Sequence, residues 1–210
     1  MMEEKAAKAA VVVAMKGHPG TGKTTVARAI SAALHCPLID KDDIRRCTSS
    51  LSLSSSPGAA ANLLNDFSYD VVWQLASTQL RLGLSVVLDS PLSRAAHLRR
   101  LVALAASHGA RCVIVECRPS NEGEWRRRLE RRGETGGDGD TWHKPSTWRD
   151  LQRLLEGYAG CTDYDPGPVP KLVVDTTAAG VGFEELVSGV LEFIAAQCGR
   201  PLDSLHASQG

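Results

Sequence analysis

The chain has 210 residues, 43% hydrophobic and 23% charged, with a formal net charge of zero. That size and balance suit one globular domain with a core of its own. The lack of a basic excess counts against a dedicated nucleic-acid binder. No apolar run reaches the about 18 residues that a bilayer crossing needs. The leader MMEEKAAKAA has the pattern of neither a signal nor a transit peptide. A soluble, cytoplasmic protein without a membrane partner is therefore expected. Cys36, Cys47, Cys112, Cys117, Cys161 and Cys198 form no CxxC pair and no zinc spacing, and read as reduced thiols.

In chain order, short β-branched runs alternate with helical patterns. Val11 to Met15 is apolar on both faces, as a buried parallel strand must be. Val26, Ile30 and Ala33 then recur at helical spacing. CPLID makes a second strand ending at Asp40. From Leu64, the positions Phe67, Val71, Leu75 and Leu82 predict the apolar face of a long helix. SVVLDS is a third strand, ending at Asp89, and Leu98, Leu101, Val102 and Ala105 mark the next helix. RCVIVECR is a strand, and Trp125 and Leu129 mark a helix with a strongly basic opposite side. KLVVDTT is the last strand; Phe183, Leu186, Val190 and Ile194 belong to the last helix. The alternation predicts an α/β fold, a doubly wound parallel sheet of about five strands with helices on both faces. One domain is expected over residues 1–198. The serine-rich stretch Cys47 to Gly58 reads as a mobile loop, and 199–210 as a disordered tail.

Directly after the first strand comes GHPGTGKTT. Gly17 to Thr24 fits G-x-x-x-x-G-K-[ST], and the spacing has a mechanical purpose. Gly17, Gly20 and Gly22 let the backbone of the loop through Thr21 fold into a nest of N–H groups around phosphates. The helix beginning near Lys23, with Thr25 in its first turn, adds its positive end. Lys23 reaches the terminal phosphates, and the Thr24 hydroxyl suits Mg2+. His18 and Pro19 read as loop fillers.

A phosphate cradle does not identify what receives the phosphate. The second strand runs into DKDDIRR. In a doubly wound sheet the carboxyl ends of the strands line the ligand crevice, so Asp40, Asp42, Asp43 and Arg45 are candidates to face the cradle. A carboxylate there can orient a hydroxyl and accept its proton, and Arg45 can hold an anionic or polar part of the acceptor. The competing reading is helix capping by one of the aspartates. Asp89 can hold a water of the Mg2+ shell or touch the acceptor. In EWRRRLERRG, Arg128 and Arg132 are i,i+4 neighbours, as are Arg127 and Arg131. An arginine helix joined to the glycine-rich GETGGDGDTWHKPS predicts a lid over about 119–146 that closes on ATP. Two of these arginines are expected to be functional and the others surface residues. Trp142, Trp148 and Tyr158 read as core-packing aromatics.

GHPGTGKTT, DKDDIR, VVLDSPLS and RRLERRG, in this order, resemble the small P-loop kinases related to polynucleotide 5′-kinase and the zeta toxins. The resemblance runs from about Val11 to Gly133. It implies ATP as the phosphoryl donor, with Mg2+. It places a general base on Asp42, an acceptor contact on Arg45, lid arginines on Arg128 and Arg132, and the aspartate ending the third strand on Asp89. The leading expectation is a kinase acting on a hydroxyl of a small molecule. A kinase of nucleic-acid 5′ ends and a non-enzymatic nucleotide switch are the alternatives, the last weakened by the lack of an N-K-x-D motif.

Overall fold

The computed structural model describes residues 9–48, 57–135 and 144–199. The leader, most of the serine-rich stretch, the glycine- and aspartate-rich segment with Trp142, and the tail 200–210 lie outside the described residues. Five strands form one sheet: β1 (Val11–Lys16), β2 (Leu38–Asp40), β3 (Val86–Asp89), β4 (Arg111–Cys117) and β5 (Lys171–Val174). Their order across the sheet is β2-β3-β1-β4-β5, and every pairing is parallel. The helices are α1 (Lys23–Leu34), α2 (Lys41–Cys47), α3 (Pro57–Arg81), α4 (Ala95–Ser107), α5 (Glu122–Thr135), α6 (Trp148–Tyr158) and α7 (Phe183–Cys198).

The period-2 alternation of β1 divides the core. Val11, Val13 and Met15 point to one face, where they meet Val26 and Ile30 of α1 and Val190 and Ile194 of α7. Val12 and Ala14 point to the other, against Val72 and Trp73 of α3 and Leu98 and Leu101 of α4. A strand covered on both sides can carry an unbroken apolar run, which is why β1 shows no polar alternation. The exception is Lys16, its last residue, only 7% exposed. Its ammonium donates to Glu116 on β4 at 3.0 Å, the residue beside it in register.

Two helical stripes differ from expectation. On α3 the buried face is Leu64, Tyr69, Val72, Trp73, Ala76 and Leu80, whereas Phe67, Leu75 and Leu82 are exposed. The helix carries apolar residues on more than one stripe, so spacing alone picks no side, and the stripe containing Tyr69 and Trp73 packs on the sheet. On α7, Phe183 is also exposed; the buried face begins deeper, because the first turn stands at the rim of the crevice described below.

This orientation of α3 has a direct check in chemical denaturation. Trp73→Ala is expected to destabilise by about 3–5 kcal/mol, as a large side chain removed from a core. Leu75→Ala should stay within about 0.5 kcal/mol of the parent, as a surface change. Equal losses would place both stripes inside.

Candidate active site

The carboxyl ends of the five strands open onto one cavity of about 1130 Å³, lined by the loop after β1, the start of α2, α3, α5 and the loop after β5. The loop from Gly17 to Gly22 holds its shape by left-handed or otherwise glycine-only backbone. At Gly17 φ is +145°, and a Cβ would stand 2.7 Å from the Cys117 carbonyl oxygen; only glycine allows that approach. Gly20 and Gly22 also have positive φ, and Gly22 caps α1 with no side-chain bond to the first turn. The amides of Lys23, Thr24 and Thr25 thus begin the helix without an internal side-chain acceptor, the arrangement that suits an anion. Thr21 has a different place. Its hydroxyl donates to the His18 carbonyl at 2.9 Å and the side chain is buried, so the hydroxyl braces the loop from within. A further brace comes from Thr176, whose hydroxyl donates to the Thr21 carbonyl at 2.7 Å.

Lys23 extends from the first turn of α1 to the end of β3, where its ammonium bonds Asp89 Oδ1. Burial alone would lower the Lys23 pKa; the charge and hydrogen bond of Asp89, helped by Asp42 and Asp40, outweigh it and raise it. Asp89 is 1% exposed and its Oδ2 is buried without a hydrogen-bond partner. Asp40 stands opposite Asp89 in register. Burial, then the neighbouring Asp89 charge, push its carboxyl up to about 6. Its Oδ1 accepts the Asp42 amide at 2.8 Å, so Asp40 is the N-cap of α2. The next two aspartates then divide. Asp42 lines the cavity and meets Lys144 at 2.8 Å, while Asp43 points outward and pairs with Arg46. Arg45, one helical turn on, is 5% exposed and lines the same cavity.

The basic helix α5 crosses over the loop. Trp125 Nε1 donates to the Pro19 carbonyl at 2.8 Å, and Trp148 of α6 meets the Trp125 ring edge-on at 5.2 Å. His18 stacks between Trp125 and Tyr158, with centroids 6.3 and 6.1 Å away. Burial and then the Lys16 charge lower its pKa, so it is a neutral spacer at neutral pH. Trp148 packs as expected, but Tyr158 lines the cavity. Arg128 and Arg132 both line the cavity, and so does Arg131. Arg128 Nε is 2.7 Å from Glu124, and Arg132 donates to the Pro145 carbonyl at 3.0 Å. Arg127 turns outward and bonds Glu124. Gly133 allows the chain after the basic helix to return, because a Cβ there would sit 2.6 Å from the Ser146 carbonyl oxygen.

Two further walls complete the cavity. Beyond Asp42 stand Lys41, Asn65, Tyr69, Arg94 and His97; beyond the loop stand Asp175 to Ala178, Val181 and Phe183. The first wall was hidden by the choice of the wrong stripe on α3, since Asn65 and Tyr69 lie on the stripe that faces inward. Lys41 sat unread inside DKDDIRR. In the second wall Asp175 accepts amide bonds from Ser120 and Thr177 at 3.0 and 2.9 Å. Burial raises its pKa, yet hydrogen bonds from the Ser120 hydroxyl, the Thr177 amide and hydroxyl and the Ser120 amide win and hold the carboxyl at about 2.

The Thr24 hydroxyl and the orphaned Asp89 Oδ2 are hard oxygen donors, and Mg2+ takes one or two such groups plus phosphate oxygens and water. The residues present therefore fit Mg2+. Among the described residues no group of three or more His, Cys, Asp or Glu could cage a metal ion, and no helix is long and apolar enough to cross a membrane.

The family model of the AAA domain matches residues 12–156. Among solved structures, a candidate kinase from Chloroflexus aurantiacus superposes with a TM-score of 0.66 at 22% identity, covering 89% of this chain and 98% of that one. Kti12 of Chaetomium thermophilum, in complex with ADP-AlF3, gives 0.61 at 16% identity, covering 88% and 99%. A gluconokinase from Sinorhizobium meliloti 1021 gives 0.57 at 22% identity, covering 92% and 95%. At these identities the likeness is one of fold. No curated protein sequence matches the chain.

The Asp40–Asp89 register pair yields a pH signature. Asp40 has a folded pKa of about 6 against an ordinary 3.8, so its contribution to stability is full below about 3.8 and is lost as pH rises through about 6. Asp40→Asn keeps an N-cap and removes that titration. Thermal melts from pH 4 to pH 7 should show the variant gaining on the parent as pH rises. Parallel melting curves for the two proteins would mean that neither burial nor the Asp89 charge raises the Asp40 pKa.

Proposed function

The chain belongs to the AAA domain family, and on that premise we propose that it is an ATP- and Mg2+-dependent kinase that transfers the γ-phosphoryl group to a hydroxyl of a small molecule. The observation that carries this reading is that a nucleotide cradle and an inward-facing carboxylate, Asp42, line the same cavity as Arg45 and the arginines of α5. The order of the four sequence motifs favours the branch of polynucleotide 5′-kinase and the zeta toxins. A single kinase domain spans 1–198, with 119–146 as its lid, in the cytoplasm.

In this reading the loop amides and Lys23 hold the β- and γ-phosphates, and the loop after β5, with Val181 and Phe183, borders the base. Thr24 and Asp89 would hold Mg2+, which would supply positive charge to the polyphosphate. Binding of the polyphosphate gives Lys23 a second anion besides Asp89. Asp42 accepts the proton of the acceptor hydroxyl as that oxygen bonds the γ-phosphorus. The bond from phosphorus to the β–γ bridging oxygen breaks, and ADP leaves with the electron pair. Lys144 neutralises Asp42 until the acceptor takes its place beside the carboxylate. Arg128 and Arg132 face the charge spread over the phosphoryl oxygens, where fixed donors are most effective.

The test is acceptor-stimulated ADP release across a panel of hydroxyl compounds, with nucleotide affinity measured separately. Asp42→Asn should lower turnover about 10²- to 10⁴-fold, the usual weight of a general base, with ATP affinity within about twofold. Asp43→Asn should leave turnover near the parent value; the opposite result would move the base to Asp43. Arg132→Ala should reduce kcat more than ATP affinity, and Lys23→Ala should abolish nucleotide-dependent turnover.

A further inference from the structure

We propose that the acceptor alcohol carries an oxyanion, and that Lys41, with Arg45 beside it, is the group that selects it. This rests on the kinase reading for the word acceptor, but the anion site itself stands on geometry. Lys41 is the first residue of α2 and is 6% exposed. Its ammonium has only neutral partners. It donates to Asn65 Oδ1 at 3.1 Å and lies 5.2 Å from the centre of the Tyr69 ring. Among the described residues no carboxylate comes within salt-bridge distance of it, although the side chain borders the cavity.

A buried ammonium without a counter-ion is costly, and proteins pair such charges or let them lose their proton. Lys41 feels that pressure: burial lowers its pKa, with Arg45 and Lys23 adding repulsion and Asp42 and Asp40 opposing it. An anionic ligand would remove the cost. Arg45 is four residues further on the same helix face and is equally buried. Arg94, at the start of α4, is a third cation on this wall. Asp42, which lines the same cavity, is met by Lys144. Lys41, Arg45 and Arg94 thus bring three cations to one wall of the cavity in a chain of zero net charge.

The rest of the wall suits a small hydroxylated anion. Tyr69 and His97 stand with ring centres 3.8 Å apart, and burial pushes the His97 pKa down to about 4, against the raising effect of Asp66. His97 is thus neutral at neutral pH and adds a hydrogen-bonding surface without charge. A lysine kept only to join α2 to α3 would affect stability and leave ligand choice unchanged, which separates the two roles.

The experiment uses the full chain saturated with AMPPNP and Mg2+, so that the phosphate loop is filled. Binding of glycerol, glycerate and glycerol 3-phosphate is measured by thermal shift and calorimetry. At least one of the two anions is expected to bind, and glycerol far less. Lys41→Met should weaken the anion about ten- to a hundredfold, the weight of a charged hydrogen bond, with AMPPNP affinity within about twofold, and Lys41→Arg should recover part of the loss. The two anions distinguish a carboxylate from a phosphate on the acceptor. Glycerol binding as well as its anions, neither anion binding, or anion affinity unchanged in Lys41→Met would each overturn the inference. Anion binding that depends on Lys41, without ATP consumption stimulated by any hydroxyl compound, would instead remove the kinase reading and leave the anion site standing.

Discussion

Asp40 and Asp89 stand opposite one another on neighbouring parallel strands, and Lys23 is what makes that tolerable. Burial disfavours the charged form of Asp40, and the Asp89 carboxylate in adjacent register adds repulsion. The lysine from the phosphate loop reaches across to Asp89, leaving Asp40 to spend its oxygen on the first turn of α2. One contact therefore ties together three elements that are far apart in sequence. As the cap of α2, Asp40 fixes where that helix starts and how it leaves the sheet, and so which of its residues look into the crevice.

From that exit direction the division of labour among the acidic residues follows. With Asp40 as cap, α2 begins at Lys41. Residues 41, 42 and 45 then share the inward side, while 43 and 46 pair with each other outside. The parallel sheet makes this economical. Every strand ends at the same edge, so the cradle, the acids and the loop after β5 arrive at one place by topology alone. Braces between loops complete it: Thr176 to Thr21 and Trp125 to Pro19.

The sheet was legible in the sequence because β1, β3 and β4 carry apolar residues to both faces. The phosphate loop was legible because its glycines stand at positions where the backbone demands them, as Gly17 shows with its carbonyl neighbour. Asp42, Arg45, Arg128 and Arg132 were found as residue types suited to the chemistry, and the structure places all four around one cavity. What stayed hidden depended on rotation. The helix α3 offers apolar residues on several sides, so Asn65 and Tyr69 could not be assigned inward without the sheet beneath them. Lys41 went unread, because burial belongs to the packed neighbours and not to the residue. The Tyr158 ring, expected in the core, stands at the crevice because His18 stacks between it and Trp125.

The bond from the Trp125 indole to the Pro19 carbonyl makes α5 a ruler with its zero mark on the phosphate loop. Each residue advances the helix about 1.5 Å, so Arg128 is carried about 4.5 Å and Arg132 about 10.5 Å along the axis from that mark. Each residue also turns the helix by about 100°. Length and bearing of the guanidinium groups are thus graduated by residue count. Losing or gaining a single position between Trp125 and Arg128 would swing both arginines to a different compass point, however well the helix itself survived.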